Sequence, residues 1–424
     1  MEPSMNMPAQ AKAPAIGSAE AASPAGPPFR RLLVLASLPA LQDEEGKWML
    51  PTKFVSGMKK YAQRWPGPVV VGLQAGNGPT GDLDNRYWSP DELPFEMHRV
   101  SFPELVNRGD PLLEGSIVLV TLNHLLYGLA ERCRAHDAIL VMNTELTLTT
   151  QLQIARSTHG WSLQLLKTGL WLCLNHRRAL QEIRSAHGLQ CNGTPTFDAF
   201  SHHNPSPLLY FDNRTTAALC ASPADIEARF ENLSRRRRLR LLFSGRLHPI
   251  KGVHHLIPMA QMLRAQGVDF ELWIAGDGPQ RASMEAQVAS HGLQDQVRLL
   301  GTLDFESELM PMLRRETDVF VCPHLQGDPS CTYLETLCGG VPIVGYDNEA
   351  WRGVHRLSSA GRLCASGQPR ALANEVAALS TDPGTLRQLA ERALDFSRQH
   401  VFEVAFERRI VHLLHLCETM SHPT

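Results

Sequence analysis

Short runs of apolar residues alternate along the chain with longer amphipathic stretches. In the first half, from Phe29 onward, runs of strand length occur at 31–37, 68–73, 116–122 and 138–143. The second half repeats the pattern more cleanly, with runs at 239–245, 269–276, 296–301, 318–323 and 341–346. Strands that are apolar at every position are buried on both faces, which is typical of a parallel sheet covered by helices. The pattern therefore predicts an α/β protein with two doubly wound units in series.

The longer stretches have the spacing of amphipathic helices. In Val253–Ala265 the apolar residues fall on one face, although Pro258 must kink that helix or delay its start. The strand signal fades near 215–238, where the two units are expected to meet. We predict a first domain over 29–225 and a second over 238–399, since a chain of this length exceeds one compact core.

Composition excludes some classes of function. The 424 residues include 41 Lys or Arg and 43 Asp or Glu, which leaves a formal net charge of -2. Such a chain has no strong field to attract a polyanion, so a nucleic-acid binder is disfavoured. The basic run Arg235–Arg238 is either a phosphate-binding patch or, as charge runs usually are, a solvated linker; the second interpretation is favoured.

The N-terminal stretch and the cysteines bear on location. Residues 1–28 are rich in Ala, Pro and Ser, which predicts a disordered tail rather than a signal peptide. The nine cysteines are scattered without a CxxC pair, as expected for reduced thiols in a cytosolic protein. No apolar run reaches the roughly 18 residues that span a bilayer. Peripheral contact with the inner face of the membrane remains open.

The segment FSGRLHPIKGVHHL (243–256) is the first candidate site. A strand leads into a turn at Gly245, and Arg246 and Lys251 bracket that turn before a helix. Ligands of open α/β sheets bind at the carboxyl ends of strands, where a helix N-terminus adds N–H donors. Two cations aimed there suit a diphosphate leaving group. The alternative is a surface turn with two solvated basic residues.

Two further strand ends carry suitable residues. WIAGDGPQ (273–280) contains Gly276 and Gly278, which either let backbone approach a ligand or make a tight turn. In the loop and helix after the strand at 318–323, Ser330 or Thr332 is expected to cap the helix.

Glu335 lies in the first turns of that helix. Its carboxylate can accept both hydroxyls of a ribose, although the helix macrodipole also favours a glutamate there. Three successive strand ends thus carry what a nucleotide-sugar site needs.

These motifs resemble those of glycosyltransferase family 4, retaining enzymes of the GT-B fold. The order GRLxPxKG, AGDGP and LETLCGGVPIVGY carries the resemblance, which is strong over roughly 239–350. It implies two Rossmann-like domains facing a central cleft. It also implies a nucleoside diphosphate-sugar donor, no cofactor and no metal. The C-terminal helix, at about 400–420, would pack back on the first domain.

The resemblance also implies roles for single residues. Arg246 and Lys251 would contact the donor diphosphate, and Glu335 would bind the ribose. The family has a second glutamate eight positions earlier, which usually contacts the donor sugar, but that position is Gly327 here. Either Asp328 takes over this role with a shorter side chain, or donor recognition differs.

The first half provides fewer candidates for the acceptor side. Asn123 and His124 follow the strand at 116–122, where the histidine either hydrogen-bonds the transferred sugar or acceptor, or is structural. Glu145 follows the next strand and either accepts a proton from the acceptor hydroxyl or caps a helix. Asp82 and Asp84 form a DxD pair of the kind that holds a metal in another glycosyltransferase fold, but a polar turn is favoured.

Residues 160–185 concentrate Trp and Leu before Arg177 and Arg178. This stretch is either an interfacial helix that reaches a lipid-linked acceptor or, the interpretation favoured, a helix in the core of the first domain.

The sequence therefore predicts a retaining, metal-independent glycosyltransferase. It would move a sugar from a nucleoside diphosphate donor to a glycan or polyprenyl-linked acceptor in surface polysaccharide synthesis, in the cytoplasm or at the cytoplasmic membrane face. Arg246, Lys251, Asp328 and His124 are the candidate catalytic residues. The alternatives are a nucleotide-sugar epimerase of the same fold and a non-catalytic nucleotide-sugar-binding partner.

Overall fold

The computed structural model describes residues 30–75 and 85–421. The predicted tail and the pair Asp82 and Asp84 lie outside the described residues.

The first domain contains a nine-stranded sheet within the described residues. Its strands are β1 (Leu32–Gln42), β2 (Trp48–Pro51), β3 (Val69–Ala75), β4 (Asn85–Trp88), β5 (Glu96–Arg99), β6 (Ile117–Thr121), β7 (Ile139–Thr144), β8 (Gly188–Asn192) and β9 (Pro207–Tyr210). Seven of them run parallel in the order β5-β3-β1-β6-β7-β8-β9, while β2 and β4 form an antiparallel extension at the end of β1. The flanking helices are α1 (Thr52–Arg64), α2 (Phe102–Arg108), α3 (Leu129–Ala135), α4 (Leu148–His159), α5 (Leu163–Ser185) and α6 (Gly193–Phe200).

The second domain is a six-stranded sheet in which every neighbouring pair is parallel. Its strands are β10 (Leu239–Ser244), β11 (Phe270–Ala275), β12 (Val297–Gly301), β13 (Val319–Cys322), β14 (Ile343–Tyr346) and β15 (Gly361–Cys364). They follow the order β12-β11-β10-β13-β14-β15. The helices are α7 (Pro223–Arg236), α8 (Leu256–Ala265), α9 (Arg281–Ser290), α10 (Met310–Arg315), α11 (Cys331–Cys338), α12 (Glu349–Ser358), α13 (Pro369–Ser380), α14 (Pro383–Arg398) and α15 (Phe402–Ser421).

Two doubly wound parallel sheets confirm the predicted fold class. All nine apolar runs form strands, because their side chains are buried against helices on both faces of each sheet. Pro258 delays the helix rather than kinking it. A 3₁₀ turn covers Val253–His255, and α8 begins at Leu256, so proline falls in the first turn, where its missing N–H breaks no bond.

The predicted boundary segment contains α7, which packs on the second domain. The buried guanidinium of Arg229 donates to the carbonyl oxygens of Leu313, Arg314, Gly339 and Gly340. The basic run that follows is largely paired. Arg236 forms an ion pair with Asp318, and Arg238 pairs with Asp269 at 2.8 Å. These partners explain the run without a phosphate ligand.

The last helix joins the two domains. The chain leaves the second domain after α14, and α15 packs against α1 and against β7, β8 and β9 of the first. Phe402, Phe406, Ile410, Leu413 and Leu416 of α15 lie in the first domain's core.

The prediction that residues 160–185 form a core helix is wrong. Helix α5 begins at Leu163 as a surface helix, and only Leu172, Ala179 and Ile183 of it are buried. Five of its large apolar side chains face solvent, namely Leu163, Leu166, Leu170, Trp171 and Leu174. Composition alone does not determine which side of α5 the rest of the domain covers.

Candidate functional site

Three glycines let the loops after β10 and β11 pack against each other. Gly276 and Gly278 have φ of +130° and +155°, and Gly245 has φ of +151°. A Cβ on Gly276 would collide with the carbonyl oxygen of Gly245, and one on Gly278 would lie 2.7 Å from that of Leu247. Close approach of backbone to backbone therefore requires these glycines.

The two predicted diphosphate ligands differ in environment. Arg246 is exposed, and its guanidinium makes no hydrogen bond or ion pair with the described residues. Lys251 is buried, and its Nζ donates to Oδ2 of Asp328 at 3.0 Å. The ion pair joins the loop after β10 to the loop after β13. The structure thus brings Lys251 and Asp328 together. It leaves Arg246, five residues before Lys251, at the surface.

The loop after β13 holds several buried polar atoms without a partner. Within the described residues these are Oδ1 of Asp328, Oε1 of Gln326 and both ring nitrogens of His324. Burial, and then the nearby Lys251, lower the pKa of His324 to about 3. Burial opposes ionisation of Asp328, but Lys251 and His324 hold its pKa below the ordinary range. A neutral imidazole, an amide and a carboxylate can all hydrogen-bond hydroxyl groups.

Helix α11 presents Glu335 near the domain boundary. The glutamate is buried, and its Oε1 accepts from Nε of Arg214 at 2.8 Å. Arg214 lies between β9 and α7, and its guanidinium stacks 3.7 Å from the centre of the Phe305 ring. Sequence reasoning missed Arg214 because it is far from the motifs that it serves.

Helix α11 begins after Ser330, one of the two predicted capping residues, but Ser330 does not cap it through its side chain. Ser330 is the N-cap residue, but its side chain makes no capping bond and donates instead to Oγ1 of Thr332 at 3.1 Å. The helix ends at Cys338, with Gly339 as its C-cap.

Glu349 occupies the space beside Gly327. A Cβ built on Gly327 would lie 2.9 Å from Cβ of Glu349 and 3.4 Å from its Oε2. That oxygen accepts a hydrogen bond from Oγ1 of Thr147, across the cleft, at 3.1 Å. The backbone N–H of Gly327 also reaches the first domain, donating to Oε1 of Gln153 at 3.2 Å. Sequence reasoning missed Glu349 because a glutamate at the first position of a helix is common for electrostatic reasons alone.

The first domain places Asn123 and His124 together at the end of β6. Asn123 caps a 3₁₀ turn at His124–Leu126, and its Nδ2 donates to Oγ of Ser37 at 3.2 Å. His124 is exposed, and its ring packs edge-on against Trp171 of α5 with 5.2 Å between centroids.

Glu145 does not cap the helix that follows it. Thr147 is the N-cap residue of α4, since its side chain accepts from the backbone N–H of Thr150. Surrounding protein and the nearby Asp212 raise the pKa of Glu145. The sequence left two roles open for Glu145, and Thr147 fills one of them, the capping of α4.

A cluster missed by sequence reasoning lies between the domains near Glu145. Nζ of Lys53 donates to Oδ2 of Asp212 at 2.6 Å and to Sγ of Cys331 at 3.2 Å. Burial alone would lower the pKa of Lys53, but Asp212 and Cys331 raise it above the ordinary value. Three distant segments supply these residues, so no local pattern marks the cluster.

A cavity of about 570 Å³ lies between the domains. The first domain lines it with His176 and Leu180 from α5 and with residues of α4 and α6, and the second domain with Glu349 and residues of α12. Arg356 and Asp198 form an ion pair of 2.9 Å across it. Such a volume is suited to a small polar ligand.

Over residues 30–75 and 85–421, no group of three or more His, Cys, Asp or Glu is arranged to hold a metal ion. The same ranges contain no helix long and apolar enough to cross a membrane.

Comparison with known proteins finds similarity in the second domain. Residues 225–396, less than half of the chain, match the family model of glycosyl transferases group 1. The second domain is therefore similar to the domain that those proteins share. The match begins within α7 and ends in α14, so it covers all six strands of the second sheet and the loops that hold Lys251, Asp328 and Glu335.

Two curated relatives cover part of the chain. One is 2-deoxystreptamine glucosyltransferase of Streptomyces kanamyceticus, which is 31% identical over 141 residues, or 33% of this chain and 36% of the relative. The other is a putative colanic acid biosynthesis glycosyltransferase of Salmonella typhimurium, WcaL, which is 28% identical over 186 residues, or 42% and 45% of the two chains. The matches thus span less than half the length of these relatives.

The fold as a whole is similar to solved structures. HepE of Anabaena, solved in complex with UDP, superposes with a TM-score of 0.61 at 18% identity and covers 91% of this chain and 99% of its own. The two-domain architecture is therefore the GT-B fold.

Proposed function

We propose that the protein transfers a sugar from a nucleoside diphosphate-sugar to a hydroxyl group of a glycan or polyprenyl-linked acceptor, with retention of anomeric configuration. One observation carries the proposal. In the domain that is similar to glycosyl transferases, the buried Lys251 pairs with Asp328 between the loops after β10 and β13, and the buried Glu335 lies in the next helix, α11. Buried charges are costly unless they serve a ligand or a tight network.

The donor would bind along the loops of the second domain. In the proposal Lys251 and Arg246 neutralise the diphosphate as negative charge develops on it, so no metal and no cofactor are required. Gly245, Gly276 and Gly278 shape the loops, while Ser330 and Thr332 offer hydroxyls. The solved complexes of HepE with UDP and UDP-glucose support this class of donor.

Three carboxylates would have different roles at the donor. Glu335 would bind the ribose hydroxyls, with Arg214 orienting the carboxylate. Asp328 is turned toward Lys251, so we assign it to positioning that cation at the leaving group. Glu349 lies where Gly327 leaves room and is the better-placed carboxylate for the transferred sugar.

The transfer step is expected on one face of the sugar. The bond from the anomeric carbon to the diphosphate oxygen breaks, and the acceptor oxygen bonds to the same face of that carbon. The acceptor proton goes to the leaving phosphate oxygen or to Glu145, while Asn123 and His124 contact the acceptor or the sugar.

The biological setting is also a proposal. The likeness to WcaL supports surface polysaccharide synthesis, and the scattered free cysteines suit the cytoplasm. The two curated relatives are named as glycosyltransferases, which supports transfer over the epimerase alternative.

The test is a screen of nucleotide-sugars for thermal stabilisation of the full chain. The best donor is then assayed for diphosphate release with and without membrane lipid extract. Release that depends on the extract supports transfer. Conversion of the donor to an epimer without acceptor would favour the isomerase, and absence of any nucleotide binding at millimolar concentration would favour a non-catalytic protein.

A further inference from the structure

Helix α5 presents a row of large apolar side chains to solvent. Leu163, Leu166, Leu170 and Leu174 follow one another at helical spacing and are 77%, 69%, 64% and 57% exposed. Trp161, just before the helix, is 84% exposed. We call these five residues, together with Trp171, the α5 face. Most of the exposed large hydrophobic side chains among the described residues belong to it, so it is a single continuous patch rather than scattered exposure.

The segment that carries the α5 face has charge of one sign. Residues 146–181 contain no Asp or Glu, and their basic residues are Arg156, Lys167, Arg177 and Arg178. Lys167 lies on the same side of α5 as the leucines, and the two arginines follow within a turn of Leu174. Arg156 stacks 4.5 Å from the centre of the Trp161 ring.

This combination matches the surface of an anionic bilayer. An exposed apolar stripe with tryptophan inserts at the level of the lipid headgroups, while lysine and arginine extend toward the phosphates. A second copy of this chain is a poor occupant, because a two-fold contact would place one acid-free, basic face against another. A soluble monomer also has no reason to keep so large an apolar patch in water.

We propose that the α5 face docks the protein on the anionic surface of a membrane and presents the acceptor side of the cleft to it. This inference deepens the proposed function, because its consequence for the acceptor rests on that function. Trp171 of the α5 face contacts His124, and His176 and Leu180 on another side of α5 line the cavity between the domains. One helix, about 10–12 Å across, therefore separates the bilayer from the cavity. The distance suits an acceptor whose lipid stays in the membrane while its sugar enters the cleft.

The first experiment measures binding of the full chain to vesicles without donor or acceptor. Vesicles of phosphatidylcholine alone are compared with vesicles that contain about 30% phosphatidylglycerol. We expect sedimentation with the anionic vesicles only, and release as NaCl rises from about 0.1 to about 0.5 M. Brominated phospholipid should quench tryptophan fluorescence of the native protein, and Trp161→Phe should reduce that quenching.

Surface variants then locate the contact. Leu166→Glu combined with Leu170→Glu should lower vesicle affinity at least tenfold, because both insertion and charge are lost. Arg177→Ser combined with Arg178→Ser should lower vesicle affinity about 25-fold, because each lost cation should weaken binding about fivefold. The matched control is Val411→Glu on α15, since Val411 is 53% exposed and far from α5 in sequence. It should bind as the native protein does.

Three results would overturn the docking proposal. They are failure of the native protein to bind anionic vesicles, an equal loss of binding in Val411→Glu, or a dimer seen by light scattering that the Leu166→Glu, Leu170→Glu variant abolishes. Nucleotide-diphosphate binding by each variant without vesicles is the independent readout of the donor site. Vesicle binding without nucleotide binding would refute the proposed transferase and leave the docking surface standing.

Discussion

The two sides of the cleft differ in how their candidate residues are held. On the second-domain side, Lys251, Asp328 and Glu335 are largely shielded from solvent and tied to one another or to Arg214. On the first-domain side, His124 is exposed and Asn123 caps a short turn. A buried, paired charge keeps one position, and in the proposed function this preorganises the site for the diphosphate and ribose of the donor. In the same proposal, the open polar edge of the first domain faces the acceptor.

The contrast extends to what crosses the cleft. Thr147 and Gln153 of α4 bond to Glu349 and to the loop at Gly327, so the first domain contributes to holding the donor loops. The two sides therefore differ in how firmly their residues are held, but they are in contact. Variants on each side separate their contributions to the rate.

The largest effect is expected at Lys251. Lys251→Ala should lower diphosphate release by about 100-fold or more, because it removes the cation that balances the leaving group. The measurement is kcat with the best donor. Arg370→Ala, an exposed cation on α13, is the control and should be near normal.

Loss of Lys251 also strands the charge of Asp328. The double variant Lys251→Met, Asp328→Asn removes both charges, so it should recover stability in thermal unfolding without recovering activity. Recovery of activity in that variant would contradict the role of Lys251.

Glu335 should affect donor binding more than turnover. Glu335→Gln is expected to raise the KM for the donor by about tenfold or more, because a charged hydrogen-bond acceptor for the ribose is lost. Arg214→Ala keeps the carboxylate and should change KM by less than about fivefold. Equal losses in the two variants would show that the pair is structural and that the ribose binds elsewhere.

Glu349 tests whether recognition of the donor sugar bridges the cleft. Glu349→Gln should reduce kcat/KM by about tenfold, since the amide keeps the shape but not the charge. Gly327→Ala should cause a similar loss by pressing its Cβ against Glu349. Asp347→Asn, which alters the carboxylate two residues earlier on the loop before α12, is the control. Unchanged kinetics in Glu349→Gln would return the role to Asp328.

The smallest effect is expected from Glu145 and concerns how the transfer rate depends on pH. The side chain of Glu145 reaches solvent, but the protein around it and the nearby Asp212 disfavour its charged form and raise its pKa. A proton acceptor must be ionised, so the rate should rise with pH through this raised pKa and level off above it. In Glu145→Gln that acidic limb should vanish, while the rate on the plateau falls by less than about tenfold, because the leaving phosphate can also accept the proton. A limb that persists unchanged would assign the proton to the leaving phosphate alone.

Much of the fold could be predicted from the sequence. The nine apolar runs became strands because burial on both faces of a sheet demands an apolar residue at every position, a requirement visible in one dimension. The edge strands β4, β5 and β9 lack that signature, since they are half exposed. The candidate site residues of the second domain could be proposed for a related reason, because they follow strand ends and glycine turns, which lie close together in sequence.

What the sequence by itself determined was the order of elements, the positions of the glycine-rich and charged segments after the strands, and the glycine at position 327. Only the tertiary structure decided which groups fill that space, since Glu349, Thr147 and Gln153 come from three distant segments. It also decided that α5 is a surface helix. Apolar composition states that a side chain avoids water, but whether a neighbouring helix or another phase covers it depends on how the rest of the chain packs.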